Sequence, residues 1–451
     1  MKNAERRYYD LNPSQNVSKL QCQYTLFKRV INILFSAKRD EEIDFKVMEK
    51  AFNILVERND CLRIQFVKKD KKLMQYFRDK VEFNNIPILK FQTEKEQSKF
   101  VNKLSKNAIK YMKGKVIEPY FIKTFDNKYM VFIKVCHMVV DIYGINFIFN
   151  DLFDIYDCLI NNTELPPAPN SFEEVVQKDL QRKENTYRHQ EHVDFFTEYI
   201  SSHEEPWYAG IHGPKEKYWN KQLKKNKRAQ KMFFIKNDTV CYQYNINEEQ
   251  MKKAMDFCER KNITPTNLFF YACSLCTSFI NNKINSMLPL QLCNCRGTSL
   301  DKNCAGTKVQ SIGCFTDIDF NKTILENLSD FSETQMKLYR RIHFPDQDFE
   351  MMLHKIYPST MLETYYSITF SFIPYLKRKD ITYDLYSNGK GALPCYIALL
   401  YDINNNITTI GYDVHKKTIS KEDVDNFHKK YLELLNYIID NPDLKINEYE
   451  F

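Results

Sequence analysis

The sequence lacks the segments that mark secreted and membrane-spanning proteins. Residues 1–15 are charged and polar, without the apolar stretch of a secretory signal. No run approaches the roughly 18 consecutive apolar residues that are needed to cross a bilayer. Glycine is also scarce, with 10 residues in 451, and the chain has no internal repeat or low-complexity block. The absence of a signal and of a membrane span predicts a soluble, cytoplasmic protein that does not bind a membrane.

The sequence also lacks the residue pattern of a zinc site. Cys273 and Cys276 form a C-x-x-C pair inside an apolar run, but no second pair and no paired histidines complete a tetrahedral set of ligands. Because a reduced cysteine packs as a small hydrophobic residue, both side chains are expected in the core. Cys293, Cys295 and Cys304 are expected nearer to a loop. With 13 cysteines and no secretion signal, the sequence predicts reduced thiols and no bound metal.

The composition indicates a folded protein of mild positive charge. Hydrophobic residues make up 43% of the chain, with 33 Phe and 29 Tyr, which is enough to build large cores and excludes a disordered protein. The net charge of +7 is spread over 65 basic and 58 acidic residues, so nucleic-acid binding is not indicated. The densest basic run, residues 224–228, is either a solvated loop or a docking patch for an acidic partner.

Strand-like and helix-like runs alternate along the chain, which predicts mixed α/β layers. The densest proline cluster, residues 165–170, suits a linker. We therefore expect an N-terminal lobe over residues 1–168 and a C-terminal lobe over residues 169–451. Thr264-Pro265 is typical of a helix start, and Ser420 begins a near capping box. The predicted strands cover residues 32–36, 61–67, 72–77, 120–124, 129–137, 367–375, 394–401 and 407–412, and the predicted helices include residues 43–58 and 94–112.

One stretch carries candidate chemistry. A buried-looking strand ends at His137, and Asp141 follows in the turn before an apolar helix. A neutral imidazole, with an ordinary pKa of about 6.5, can accept the proton that an amine or alcohol loses during acyl transfer. A buried aspartate in the same turn can orient the ring if an arginine pairs with it. Alone, His-x-x-x-Asp is a weak pattern, and a histidine satisfied by hydrogen bonds in the core is the plain alternative.

This stretch resembles the core of the His-His-x-x-x-Asp-Gly motif of nonribosomal peptide synthetase condensation domains, members of the chloramphenicol-acetyltransferase-like superfamily. Two positions depart from that motif, because Cys136 replaces the first His and Ile142 replaces the Gly. Neighbouring strand residues face opposite sides of a sheet, so Cys136 is expected to pack in the core. The other stretches that resemble family motifs, in chain order, are residues 11–15, 57–66, 171–176, 217–219, 294–296 and 312–317.

The resemblance implies two chloramphenicol-acetyltransferase-like lobes, each an α+β two-layer sandwich, which form a V-shaped pseudo-dimer with a central tunnel. It implies that His137 is the general base or a positioning residue and that Asp141 is structural. Arg296 matches the family's second-lobe arginine and is the expected partner of Asp141, with Arg63 as the alternative. The residues beside the motif that would contact substrate are Cys136, Ile142, Tyr143 and Gly144.

The resemblance further implies a free-standing, monomeric condensation enzyme that acts in trans on acyl or peptidyl carrier proteins, with no bound cofactor. It would transfer an acyl or aminoacyl group from a phosphopantetheine thioester to an amine during natural-product biosynthesis. A coenzyme-A-dependent O- or N-acyltransferase on a small-molecule amine or alcohol is one alternative. A catalytically silent platform for carrier proteins is another, suggested by the departures at Cys136 and Ile142.

Overall fold

The structure is a computed structural model of the chain. Two predicted features lie wholly or mostly outside the residues that it describes: the stretch 217–219 and residues 224–227 of the basic run. The described residues are 6–23, 25–183, 186–214, 228–232, 235, 237–376, 378–404 and 406–450.

Helices and strands alternate along the chain, which confirms the predicted mixed α/β architecture. The helices are α1 (Pro13–Gln23), α2 (Phe45–Arg58), α3 (Glu94–Lys106), α4 (Ile142–Asn161), α5 (Phe172–Lys183), α6 (Thr186–Ser201), α7 (Glu248–Lys261), α8 (Pro265–Ile280), α9 (Ser299–Lys302), α10 (Ile324–Tyr339), α11 (Asp346–Ile356) and α12 (Lys421–Asp440). The strands are β1 (Tyr9–Asp10), β2 (Asn32–Arg39), β3 (Ile64–Lys69), β4 (Lys72–Phe77), β5 (Ile88–Lys90), β6 (Ile117–Lys123), β7 (Tyr129–Cys136), β8 (Gln230–Lys231), β9 (Thr239–Ile246), β10 (Ser286–Met287), β11 (Leu290–Asn294), β12 (Val309–Gly313), β13 (Thr316–Asp317), β14 (Glu363–Thr364), β15 (Thr369–Tyr375), β16 (Thr382–Tyr386), β17 (Cys395–Asp402) and β18 (Ile407–His415).

The chain divides into two compact units. The first contains Met1–Thr186 together with two later segments, Asn294–Val309 and Lys377–Lys390. The second contains Tyr187–Cys293, Gln310–Leu376 and Gly391–Phe451. The lobe boundary between residues 168 and 169 stays a prediction. The segment Asn294–Val309 matters for function, because it brings Arg296 into the same unit as His137.

The first unit is built on a five-stranded sheet with the order β16-β2-β7-β6-β5. Its pairs are antiparallel except β5 with β6. Side chains alternate between the two faces of β7, as a strand requires. Val131, Ile133 and Val135 join the large core that includes α2 and α4, and Met130 and Phe132 join a smaller cluster with α3. Strand β7 is thus buried on both faces, and its carboxyl end is held firmly.

The second unit is built on a six-stranded mixed sheet with the order β12-β11-β15-β17-β18-β9. Helix α8 is buried along most of its length, and its Cys273 and Cys276 are free, buried thiols, as predicted. Thr264 caps α8 with Pro265 in its first turn. Ser420 and Asp423 form the capping box of α12. These helix ends follow the sequence signals because capping side chains satisfy backbone N–H groups that lack a partner within the helix.

The predicted helix over residues 94–112 is too long, since α3 ends at Lys106. Asn32 binds the backbone that follows this helix. Its Nδ2 donates to the carbonyl of Asn107 at 2.8 Å, and its Oδ1 accepts from the N–H of Ile109 at 3.1 Å. A long-range side-chain contact therefore ends a helix that the local pattern would extend.

The strand predicted from residue 61 begins later, at Ile64, after a turn of 3₁₀ helix. That turn contains Asp60, whose carboxylate accepts from Ser171 Oγ at 2.6 Å and from the N–H groups of Phe172 and Glu173 at 2.7 and 3.0 Å. These donors lie at the start of α5, where a carboxylate is favoured by the helix dipole. The turn is thus shaped by a helix more than 100 residues away in the chain.

Within the described ranges, no single helix is long and apolar enough to cross a membrane. Helices α7 and α8 satisfy the length and composition test only when taken together, and they are bent by 109° at their junction.

Candidate functional site

The candidate site lies where β7 leads into α4. The N–H of His137 donates to the carbonyl of Ile31 at 2.8 Å, which fixes the chain just beyond the strand. Asp141 is the N-cap of α4, and its Oδ1 accepts from the N–H of Gly144 at 2.8 Å. His137 and Asp141 therefore occupy a short turn between a buried strand and the start of a long, largely buried helix, a place where reactive side chains are often carried on a rigid scaffold.

The Asp141 carboxylate is buried and accepts four hydrogen bonds. Arg296 binds it in a bidentate manner, at 2.9 Å from Nη1 to Oδ2 and 3.0 Å from Nη2 to Oδ1. The N–H groups of Lys308 and Gly144 add contacts of 2.7 and 2.8 Å. Burial raises the pKa of Asp141, but Arg296 and the backbone donors outweigh it, so the pKa lies below the ordinary value. Asp141 is therefore ionised, and it fixes the groups that bind it, namely the Arg296 side chain and the backbone at Gly144 and Lys308.

Arg296 is the arginine that pairs with Asp141. It also donates to the carbonyl of Gly306 at 2.6 Å, and the ring of Tyr143 stacks over its guanidinium at 4.4 Å. The other candidate, Arg63, donates instead to backbone carbonyls, including Val56 at 3.2 Å and Asp79 at 3.0 Å. Arg63 thus serves the backbone around β3.

His137 is partly exposed, while its Nδ1 is buried and has no hydrogen-bond partner in the part of the chain that the structure describes. Burial lowers the pKa of His137; the nearby backbone carbonyls of His137 and Val140 and the charge of Asp141 oppose that shift without cancelling it. The imidazole is therefore neutral at pH 7. A neutral, partly accessible imidazole has the form that a general base requires.

The four neighbours predicted to contact substrate have different environments. Cys136 is completely buried, and burial raises the pKa of its thiol, so this residue packs in the core. Gly144 is also buried, and a Cβ there would lie 1.9 Å from the carbonyl oxygen of Ala305. Ile142 is partly exposed in the first turn of α4. Tyr143 covers Arg296, and its hydroxyl donates to the carbonyl of Lys302 at 3.1 Å.

Residues 11–15, which the sequence indicated only as resembling a family motif and without a role, support the turn from a second side. Gln15 Nε2 donates to the carbonyl of Met138 at 3.1 Å, and Gln15 also bonds to the side chain of Gln75. Asn12 and Gln15 cap each other at the start of α1, with N–H to side-chain oxygen distances of 2.9 and 2.8 Å. The Asn-x-x-Gln spacing of a capping box is the signal that could have identified this pair.

The turn offers no cluster of metal-binding side chains. No group of three or more His, Cys, Asp or Glu side chains that could hold a metal ion occurs among the residues that the structure describes. The titratable groups of the turn itself are the imidazole of His137 and the carboxylate of Asp141, which is already bound on both oxygens. Of these two, the imidazole is the one available for proton transfer.

The comparison with known proteins assigns a family. The Condensation domain family model matches residues 5–451. A plipastatin synthase protein of Bacillus subtilis is 19% identical over 429 residues, which cover 93% of this chain and 16% of that protein. The chain thus spans less than a fifth of the length of this curated relative.

Two solved structures share the fold. The starter condensation domain of rhizomide synthetase, a double mutant in complex with C8-CoA and Leu-SNAC, has a TM-score of 0.81 and 14% identity, covering 98% of this chain and 97% of that chain. The first condensation domain of the calcium-dependent antibiotic synthetase, in complex with a substrate analogue, has a TM-score of 0.80 and 11% identity, covering 98% of both chains. The chain therefore belongs to the condensation-domain family, whose members are acyltransferases that form amide bonds in nonribosomal peptide synthesis.

Proposed function

We propose that this chain transfers an acyl or aminoacyl group from a phosphopantetheine thioester to an amine, with His137 as the general base. The amine attacks the thioester carbonyl, a C–N bond forms, and the C–S bond breaks. His137 accepts the proton that the amine loses and returns it to the departing thiolate, so the products are an amide and a free thiol. The single observation that carries this proposal is a partly accessible imidazole whose pKa burial lowers.

The proposed division of labour follows from the hydrogen bonds. The Asp141 carboxylate already accepts four hydrogen bonds, and its pKa is lowered, so it is poorly suited to take a proton at neutral pH. It instead fixes the turn that carries His137. In this proposal Arg296 neutralises Asp141 and has no direct role in proton transfer.

A carrier protein as donor partner is supported by the charge around the site. Carrier proteins are usually acidic. Two segments free of Asp and Glu, residues 11–39 and 97–117, flank the end of β7. The N–H of Cys136 donates to the carbonyl of Val116 at 2.9 Å, next to the contact between His137 and Ile31. The exposed lysines of these segments near that point are Lys28, Lys110, Lys113 and Lys115.

The test is replacement of His137 by Ala. We expect amide formation to fall by roughly 10²–10⁴-fold, measured by mass spectrometry with a panel of acyl and aminoacyl groups loaded on carrier proteins and a panel of amines. The matched control is His189→Ala, the same change at an exposed histidine of α6, which should leave the rate unchanged. An unaltered rate in the His137 variant would remove this residue from the mechanism, and no amide formation by the wild-type chain would favour a silent binding platform.

A coenzyme A thioester is the second candidate donor. It is favoured by the fold similarity to a starter condensation domain solved with C8-CoA. Incubating the chain with acyl-coenzyme A and an amine or alcohol, without any carrier protein, separates the two donors. Turnover under these conditions would favour the coenzyme-A-dependent reaction.

The proposal also holds that the chain acts in trans as a cytoplasmic monomer. Gel filtration tests the monomeric state, and cell fractionation tests the location.

A further inference from the structure

Lys308 contacts two buried carboxylates, one through its backbone N–H and the other through its ammonium group. Its backbone N–H donates to Asp141 Oδ2 at 2.7 Å. Its ammonium group, with only 2% of the side chain exposed, donates to Asp179 Oδ1 and Oδ2 at 2.8 and 3.0 Å and lies 3.5 Å from Asp301. One residue therefore links the carboxylate that orients the candidate site to a second buried carboxylate on α5.

The second carboxylate leads back to the same turn by another route. Asp179 Oδ2 accepts from Asn12 Nδ2 at 3.3 Å. Asn12 and Gln15 bind each other, and Gln15 Nε2 donates to the carbonyl of Met138 at 3.1 Å. The turn from His137 to Asp141 is thus held at its Met138 carbonyl and at its Asp141 carboxylate. The two attachments are joined through Lys308 and Asp179 into a closed ring of polar contacts.

We propose that Lys308 is a positioning residue for His137, because its ammonium group closes this ring. The role rests on the proposed function of His137, and Lys308 acts through Asp141 and Asp179 without touching the reacting groups. All members of the ring belong to the first unit. They come from α1, the β7–α4 turn, α5 and the segment Asn294–Val309.

The charge balance of the cluster explains why the ammonium group matters. Asp179 and Asp301 are both nearly completely buried, and Lys308 is the buried cation beside them. Arg182 adds a contact of 3.7 Å to Asp179 from a more exposed position. Without Lys308, the two carboxylates would have to take up protons or admit water, since an unpaired buried charge is strongly unfavourable. Either change would move the backbone of residue 308 and loosen Asp141.

The experiment compares Lys308→Met with Lys134→Met. Lys134 is an equally buried lysine of the same unit, paired with Glu118 at 2.8 Å, so the control removes a similar ion pair away from the ring. The first readout is the titration of the His137 imidazole by ¹⁵N NMR, assigned by its loss in the His137→Ala variant. In Lys308→Met we expect the pKa of His137 to rise toward the ordinary value by about half a unit. In Lys134→Met it should stay unchanged.

The second readout is kinetic and separates positioning from binding. In Lys308→Met we expect kcat to fall by about tenfold with little change in KM, because a slightly misplaced base still permits binding. The NMR readout requires no substrate. An altered titration in Lys308→Met therefore supports the inference even if no amide is formed and the proposed function fails. A wild-type titration and a wild-type kcat would overturn the inference even if the chain is an active acyltransferase.

A double variant distinguishes a loss of His137 positioning from a loss of protein stability. Replacing Lys308 and Asp179 together, in Lys308→Met with Asp179→Leu, removes the lysine and the nearer of its two carboxylates, so fewer buried charges are left unpaired than in Lys308→Met while the ring stays open. We expect this protein to recover thermal stability relative to Lys308→Met and to keep the altered His137 titration. Recovery of the titration together with stability would overturn the positioning role. If Lys308→Met does not fold, Asp179→Asn tests the same ring, with a smaller shift of the His137 titration in the same direction expected and no shift overturning the inference.

Discussion

Asp141 of the first unit and two acids of the second unit respond to burial in opposite ways. In the first unit, Asp141 is bound by Arg296 and two backbone N–H groups, and its pKa lies below the ordinary value despite burial. In the second unit, Asp346 and Glu350 lie one turn apart on α11, and burial raises the pKa of each to about 7. Asp141 is buried and the two acids of α11 are half-buried, yet Asp141 has the lowered pKa, so the kind of partner decides which of them stays ionised.

The partners on α11 are weak by comparison. Asp346 accepts from the hydroxyl of Ser311, and Glu350 interacts with the hydroxyl of Tyr366. His354 continues the same helix face, with its Nε2 3.6 Å from Glu350. Hydroxyl groups stabilise a carboxylate less than a guanidinium does, and the charge of Asp346 adds to burial in raising the pKa of Glu350. The cluster on α11 therefore gains negative charge as pH rises through neutrality, whereas Asp141 is already ionised there.

Removing the Arg296 guanidinium should abolish the contrast between Asp141 and the acids of α11. Of the changes considered, this one has the largest expected effect. In Arg296→Met, Asp141 keeps its burial and loses its cation, so we expect the free energy of unfolding to fall by about 3–5 kcal/mol at pH 7. Urea unfolding followed by circular dichroism measures the change. Arg63→Met is the matched control, because Arg63 donates to backbone carbonyls, and a loss of about 1 kcal/mol is expected. Equal losses in the two variants would show that Asp141 is not compensated by Arg296 in particular.

Neutralising Asp346 on α11 should instead increase the free energy of unfolding at high pH. The folded pKa of Asp346 is raised above its unfolded value, so its stabilising effect is complete below pH 4 and is lost as pH rises through about 7. Asp346→Asn should therefore stabilise the protein at pH 8 by on the order of 1–3 kcal/mol relative to the change at pH 5. Unfolding curves at both pH values measure this. The exposed Glu422→Gln in the same unit is the control, and a pH-independent effect of Asp346→Asn would contradict the raised pKa.

The contrast also shows how far the sequence alone can lead. His137, Asp141 and Arg296 were identifiable because they occupy motif positions, and Asp141 directly precedes an apolar helix. The ion pair of Lys308 with Asp179 joins residues 129 positions apart, and local periodicity carries no information on such pairing. Both residues resemble ordinary surface charges in the sequence. The buried strand β7 was predictable for the opposite reason, because a continuous apolar run is a local signal.

The acids on α11 illustrate the same limit. Asp346, Glu350 and His354 recur every four residues, a spacing that places them on one helix face. A charged face is usually solvated, so the pattern alone favours an exposed stripe. Contacts from Ser311 and Tyr366 cover part of that face instead, and its three side chains are half-buried. Sequence thus indicates which side chains share a face, and only the tertiary structure determines whether that face meets water.

The smallest expected effect concerns the pH dependence of the reaction. His137 must be neutral to accept a proton, and burial lowers its pKa below the ordinary value of about 6.5. As pH falls, kcat/KM should therefore decline at a lower pH than for an exposed histidine, with its midpoint below about 6.5. A profile of kcat/KM from pH 5 to 8, with a donor thioester that is stable over this range, measures the midpoint. A midpoint above 7 would mean that the charge of Asp141 outweighs burial at the imidazole. Asp141 and the acids of α11 would then differ less in their effect on nearby groups than their hydrogen bonds imply.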